Sequence, residues 1–168
     1  MELPLMTTRA ALALAEEHEA ERQRLYALLP RFAPGLFTTG DVTTEDNLRG
    51  ILCHVTFATY SYGRWIHRVN GRLELDVEKA QKAEFLARVQ ACDSAAAFAE
   101  ASAWGAGHYY AALADVTAEE MGREFTTNWG ETMAVETMME HALVHLMRHR
   151  RQLEILLGDR PRGVLRGE

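Results

Sequence analysis

The chain has 168 residues, of which 48% are hydrophobic, and its 18 Lys and Arg against 24 Asp and Glu give a formal charge of −6. That length suits one domain spanning 1–168 with a core that needs no disulfide or metal support, and the composition is globular rather than disordered. The acidic balance argues against nucleic acid as a partner, and no run approaches the roughly 18 apolar residues of a membrane span, so a cytoplasmic protein with no membrane partner is expected.

Helical periodicity runs through most of the chain. Residues 8–29 carry Leu14, Leu25, Leu28 and Leu29 on one arc and are stopped by Pro30 and then Pro34-Gly35, which predicts a first helix. The turn-rich TTGDVTTEDNLRG offers Thr43 or Thr44 as an N-cap ahead of Glu45 and Asp46, for a second helix over 45–66 that Asn70-Gly71 breaks. Residues 77–91 form a shorter amphipathic segment with Phe85, Leu86 and Val89. Asp93 and Ser94 then cap an alanine-rich helix over 95–114, where Gly105 and Gly107 are either weak points or close packing contacts.

Between 115 and 131 no period is sustained; FTTNW reads as a short strand-like excursion, and no strand pair is convincing. A last helix over 132–157 ends with Gly158 at C′ and Pro161 beyond, leaving 159–168 as a mobile tail. Four helices of roughly 30 Å and an additional short one predict an all-α four-helix bundle. The basic cluster Arg148, Arg150, Arg151, Arg160, Arg162 and Arg166 reads as a helix C-terminus complementing its dipole. Cys53 and Cys92 stand in no CxxC spacing, so no disulfide framework is indicated.

The stretch HALVHLMRHRRQL carries histidine at 141, 145 and 149. Residues four apart are helix neighbours, with Cβ atoms about 5–6 Å apart, whereas 141 and 149 are separated by about 12 Å along the axis. One ion therefore takes two of the three. With Met139 at zero, His149 falls near about −80° on the apolar arc, His145 at its edge near about −120°, and His141 outward near about −160°. The pair His145 and His149 is the better candidate, but a stable zinc-type centre needs three or four ligands.

The third is sought on the second helix. His54 stands on the shoulder of the arc of Ile51, Val55, Ala58 and Tyr62, with Gly50, Ser61 and Trp65 on its own side. A competing reading makes His54 a hydrogen-bonded core residue and the pair plain helix surface. Two half-buried histidines on one helix, however, repel if charged and need partners if neutral, and a shared metal answers both.

These stretches, NLRGILCHVTF around His54 and HLMRHRRQL from His145, together with the NWGE lead-in, resemble the DinB/YfiT-like family of metal-dependent bundle enzymes, whose signature is a histidine early in helix two and a C-terminal HxxxHRGQ. The resemblance covers most of the chain. It implies a four-helix bundle with His54, His145 and His149 as a three-histidine site for one divalent ion, zinc or nickel, with open positions. It also implies thiol-dependent S-transfer or a related metal-assisted transfer or hydrolysis on a small molecule, with a low-molecular-weight thiol as co-substrate, and a homodimer. Arg151 stands where the family commonly has glycine.

Further candidates for the pocket or its surroundings are His18 and Glu21 on the inner arc of helix one, Ser61, Trp65, His141 and Arg150; each also has a structural reading as a buried hydrogen bond, an ion pair or core. Tyr62 and Trp129 are candidate pocket walls, while His67 and His108 read as loop and surface residues. Cys53 points about 100° away from His54 and is no ligand. No general base can be named, so the alternative to an enzyme is a non-catalytic metal or small-ligand binder of a stress response. A basic-lined pocket opening at the metal favours the enzyme, and a closed four-ligand shell the binder. Di-iron chemistry is not expected, because no Glu-x-x-His occurs and no carboxylate stands at ligand spacing from the three histidines.

Overall fold

α1 (Arg9–Tyr26) starts where Thr8 adopts an extended backbone and its hydroxyl accepts the Ala11 N–H at 3.0 Å. It ends short of residue 29, because Pro30 and Pro34 seed two 3₁₀ turns, Leu29–Arg31 and Pro34–Phe37. The computed structural model describes residues 2–127 and 129–158. The expectations placed on the tail at 159–168, Pro161, Arg160, Arg162 and Arg166 lie outside the described residues.

α2 (Leu48–Val69) is capped by Asn47, whose side chain accepts the Gly50 N–H at 2.9 Å, and not by Thr43 or Thr44. Those threonine hydroxyls donate instead to Asp41 at 2.7 Å and Asp46 at 2.5 Å, forming the turn that precedes the helix. α3 (Leu75–Gln90) and α4 (Ala95–Ala114) follow, the latter capped by Ser94 as the sequence predicts. α5 (Ala118–Met121) is a single turn held by a capping box between Thr117 and Glu120.

A strand pair does exist: β1 (Glu124–Thr126) and β2 (Thr132–Ala134) form an antiparallel hairpin with Phe125 opposite Met133. Three-residue strands are too short to display an alternating pattern in sequence. α6 (Val135–Leu156) therefore begins three residues later than expected. Gly158 beyond it has φ +76°, the left-handed C′ conformation, and donates its N–H to the Ile155 carbonyl at 2.9 Å.

The fold is an all-α bundle of α1, α2, α4 and α6: α2 packs against α4 and α6, and α1 closes the other side against α6 and α4. α3 is the additional helix, applied to the outside of α2. One end of the core is built from Leu25, Leu52, Phe98, Leu146 and Leu153, the other from Tyr62, Tyr109, Tyr110, Met138 and Met139. Each fully buried Leu or Met contributes about 1.5–3 kcal/mol of transfer free energy. Gly63 sets the α2–α4 approach, since a Cβ there would lie 2.8 Å from the Tyr109 Cα. The α4 glycines divide: Gly105 faces the Phe85 ring, where a Cβ would come within 3.0 Å, while Gly107 faces open space. No helix among the described residues is long and apolar enough to cross a membrane.

The arginines of α6 are ion-paired rather than gathered at its C-terminus. Arg148 meets Glu45 at 3.3 Å, Arg150 meets Glu21 and Glu154, and Arg151 meets Glu154 at 2.9 Å. The last turn of α6 contains no basic residue, which corrects the dipole reading.

Candidate metal centre

Packing of α2 on α6 brings His54 against the His145–His149 face. The His54 and His145 Nε2 atoms lie 2.8 Å apart, those of His145 and His149 3.0 Å apart, and all three imidazoles offer ligand atoms within 4.8 Å of one another. His149 is fully buried, His145 nearly so, and His54 half-buried. The helical angles order His149 and His145 the same way.

Protons alone satisfy this cluster poorly. His149 donates its Nδ1 hydrogen to the Gln152 carboxamide oxygen at 2.6 Å, which leaves the Nε2 lone pair of the neutral ring pointing at His145. His145 Nε2 lies between the other two nitrogens and holds at most one hydrogen, so no neutral protonation pattern places a hydrogen in both contacts. Charging the rings is opposed by burial and by their mutual repulsion: His145 is pushed down to about 2 and His149 to about 4, and burial lowers His54 as well. Three neutral imidazoles with converging lone pairs are a donor set that a divalent cation fits.

Glu45 supplies a carboxylate that the sequence reading did not anticipate. Its Oε1 lies 3.4 Å from His54 Nε2, and Arg148 anchors its other oxygen at 3.3 Å. Glu45 stands nine positions before His54, in a loop, and a loop does not follow helical spacing. What carries it inward is the capping turn at Asn47 and the absence of a side chain at Gly50, where a Cβ would collide with the Thr44 carbonyl.

On the other side of His54 a cleft of about 260 Å³ opens, lined by His54, Phe57, Ala58, Ser61, Tyr62, Trp65, Lys82 and Trp129. The Lys82 ammonium lies 4.5 Å from the Trp65 ring centre and 3.3 Å from Glu78. Trp129, carried by the hairpin turn, packs on Trp65 at 5.4 Å and stacks on His141 at 5.8 Å. Tyr62 presents ring edges to both His141 and His145. A second cleft of about 230 Å³ lies on the Glu45 side, between Thr44, Glu45, His54 and Phe57.

The sequence-predicted residues therefore separate. Ser61 and Trp65 line the cleft, and His141 is exposed at its edge in contact with Trp129. His18, Glu21 and Arg150 do not line it. His18 is fully buried between Tyr109 and Tyr110, with Nδ1 2.8 Å from the Tyr110 hydroxyl, which itself donates to Glu19 at 2.9 Å. Glu21 is buried as the partner of Arg150 and Arg24. These are structural pairings of α1 with the bundle. Cys53 is buried, its thiol pushed up to about 11, and it faces the Val89 carbonyl rather than the histidines. His67 and His108 are not loop and surface residues: both lie within helices, half-buried, against Arg64.

The fold is a helical bundle that turns three histidines from two helices toward one point, a cluster that could hold a metal ion. The DinB family profile matches residues 6–160, and the chain belongs to the DinB family. No curated protein matches the chain.

Proposed function

We propose that this protein is a divalent-metal-dependent transferase that joins a low-molecular-weight thiol to a small electrophilic substrate. His54, His145 and His149 would hold one zinc or nickel ion, whose Lewis acidity keeps a thiol deprotonated near neutral pH. The observation that carries this reading is the aromatic cleft opening directly beside His54, with Lys82 as its basic residue, in place of a closed four-ligand shell.

Around that centre the chain's own groups have distinct tasks. The Glu45 carboxylate, fixed by Arg148, accepts the proton released by the thiol. The sulfur forms a bond to the electrophilic carbon while the leaving group departs with its electron pair. Tyr62, Trp65 and Trp129 hold the apolar part of the substrate and exclude water, and Lys82 attracts an anionic group on it. Cys53 takes no part, because a buried thiol held up at about 11 remains protonated.

The test uses protein loaded with zinc or nickel, a panel of small thiols, and a bromobimane as a fluorogenic electrophile. Metal-dependent adduct formation that is lost in His149→Ala is expected. Equal metal content in the wild type and His149→Ala removes the centre itself. Metal binding without turnover for any thiol leaves the carrier reading in place of the enzyme.

A further inference from the structure

On the α3–α4 side of α2, a different cleft of about 260 Å³ is lined by Tyr60, Arg64, Gln81, Glu84, Phe85, Arg88, Trp104 and His108. It shares no lining residue with the cleft at the histidine cluster. Tyr60 and Arg64 project from α2 on this side, whereas His54, Ser61 and Trp65 face the other cleft.

Arg64 is the unusual member. It is only 7% exposed, yet among the described residues no carboxylate lies within ion-pair distance of it. A guanidinium stays charged under all ordinary conditions, and a buried charge normally has a counter-charge. The partners of Arg64 are all neutral. Nη1 donates to the Gln81 carboxamide oxygen at 3.2 Å, Nη2 reaches Nδ1 of His67 and of His108 at long distances of 3.4 Å, and Nε has no partner. Burial and the charge of Arg64 lower the pKa of both imidazoles, so the rings can accept hydrogen bonds from Nη2 but supply no counter-charge to Arg64.

Aromatic rings wall the rest of the cleft. Trp104 stacks on Phe85 at 5.0 Å and on Tyr60 at 5.4 Å, and His108 lies 4.2 Å from the Trp104 ring. Trp104 nevertheless remains 40% exposed at the mouth, with the exposed Arg88 guanidinium 5.2 Å from its ring. Arg88 is already paired to Glu100 at 3.3 Å, and Glu84 stands exposed on the rim. Acidic groups at the entrance disfavour a dianion more than a monoanion.

We infer that this cleft is a second ligand site, for a small planar aromatic carboxylate whose carboxylate pairs with Arg64 and His108 while its ring lies against Trp104. The size fits: the volume is below the roughly 300–1,000 Å³ of drug-sized pockets and suits a single ring bearing an acid. The planar guanidinium takes a carboxylate in two parallel hydrogen bonds, and the ring contributes stacking area. This inference does not depend on the proposed transferase activity.

Benzoate, salicylate and nicotinate are the probes, titrated into full-length protein with and without zinc and followed by Trp fluorescence and calorimetry, with inorganic phosphate in parallel. Saturable binding of at least one aromatic carboxylate is expected. It should be weakened by about tenfold or more in Arg64→Met and in Trp104→Ala, but unchanged in His149→Ala and by zinc. Trp104→Ala changes an exposed side chain, so it reports on the site even if Arg64→Met does not fold. Failure of all three carboxylates to bind overturns the inference. So does binding that His149→Ala abolishes, which would place the anion in the histidine cleft, and so does phosphate binding more tightly than every carboxylate.

Discussion

The Gln152 carboxamide oxygen accepts the Nδ1 hydrogen of His149 at 2.6 Å, one helical turn along α6. This bond fixes the His149 tautomer and ring angle, and so decides which nitrogen faces the cluster. Gln152→Leu should keep the fold and lower zinc affinity by about 10–100-fold, measured by competition with a chelating dye. An unchanged affinity would show that the ring is oriented by packing alone.

Glu45 is expected to act on the proton rather than on the ion. Glu45→Gln preserves size and hydrogen bonding but removes the basic site, so kcat for thiol transfer should fall by about 10²–10⁴ with metal content unaltered. If metal content falls in step with the rate, Glu45 is a ligand instead.

His18 gives the fold an acid sensitivity of its own. Burial, helped by the charge of Arg22 and opposed by Glu19, lowers it from 6.5 to about 3, so it is neutral when folded and takes up a proton on unfolding below pH 6.5. Its contribution is fully present above pH 6.5 and is lost as the pH falls from 6.5 toward 3, with a slope of up to about 1.4 kcal/mol per pH unit. In metal-free protein, denaturant titrations of His18→Asn over that window should show a shallower decline than the wild type, by about one proton.

The glycines of the helix contacts should respond with opposite signs. Gly107→Ala adds a methyl into open space on a helix and is expected to stabilise by about 0.4–1 kcal/mol. Gly63→Ala drives a Cβ against the α4 backbone at Tyr109 and should cost about 1–3 kcal/mol. Thermal melts of the two variants decide it; a stabilised Gly63→Ala would mean that α2 and α4 separate more easily than their packing indicates.

The helices were legible where an apolar arc coincided with a terminator or a cap, as at Ser94 and Gly158. The cap of α2 was misplaced because Thr43, Thr44 and Asn47 are all competent, and only the tertiary turn on Asp41 and Asp46 chooses among them. The convergence of His145 and His149 follows from helical spacing, and the position of His54 from its place beside the apolar arc of α2. Glu45 was invisible to the same reasoning because a loop carries no period. His18 and Glu21 were correctly turned inward, but periodicity gives depth and not destination, and their partners proved to be Tyr110 and Arg150. Arg64 drew no notice in the sequence, since a charged residue on a helix signals nothing until its neighbours are found to lack the opposite charge.

The hairpin β1–β2 reaches the histidine cleft through one side chain, Trp129, whose indole N–H is held by Glu131 at 2.8 Å within the turn. Every candidate ligand stands on α2 or α6. The wall of the cleft and the helices that would carry an ion are thus under separate folding constraints. Changes in the length or chemistry of this turn can alter what the cleft admits while leaving the histidine cluster intact, so the selectivity of the cleft and the geometry of the cluster can vary independently.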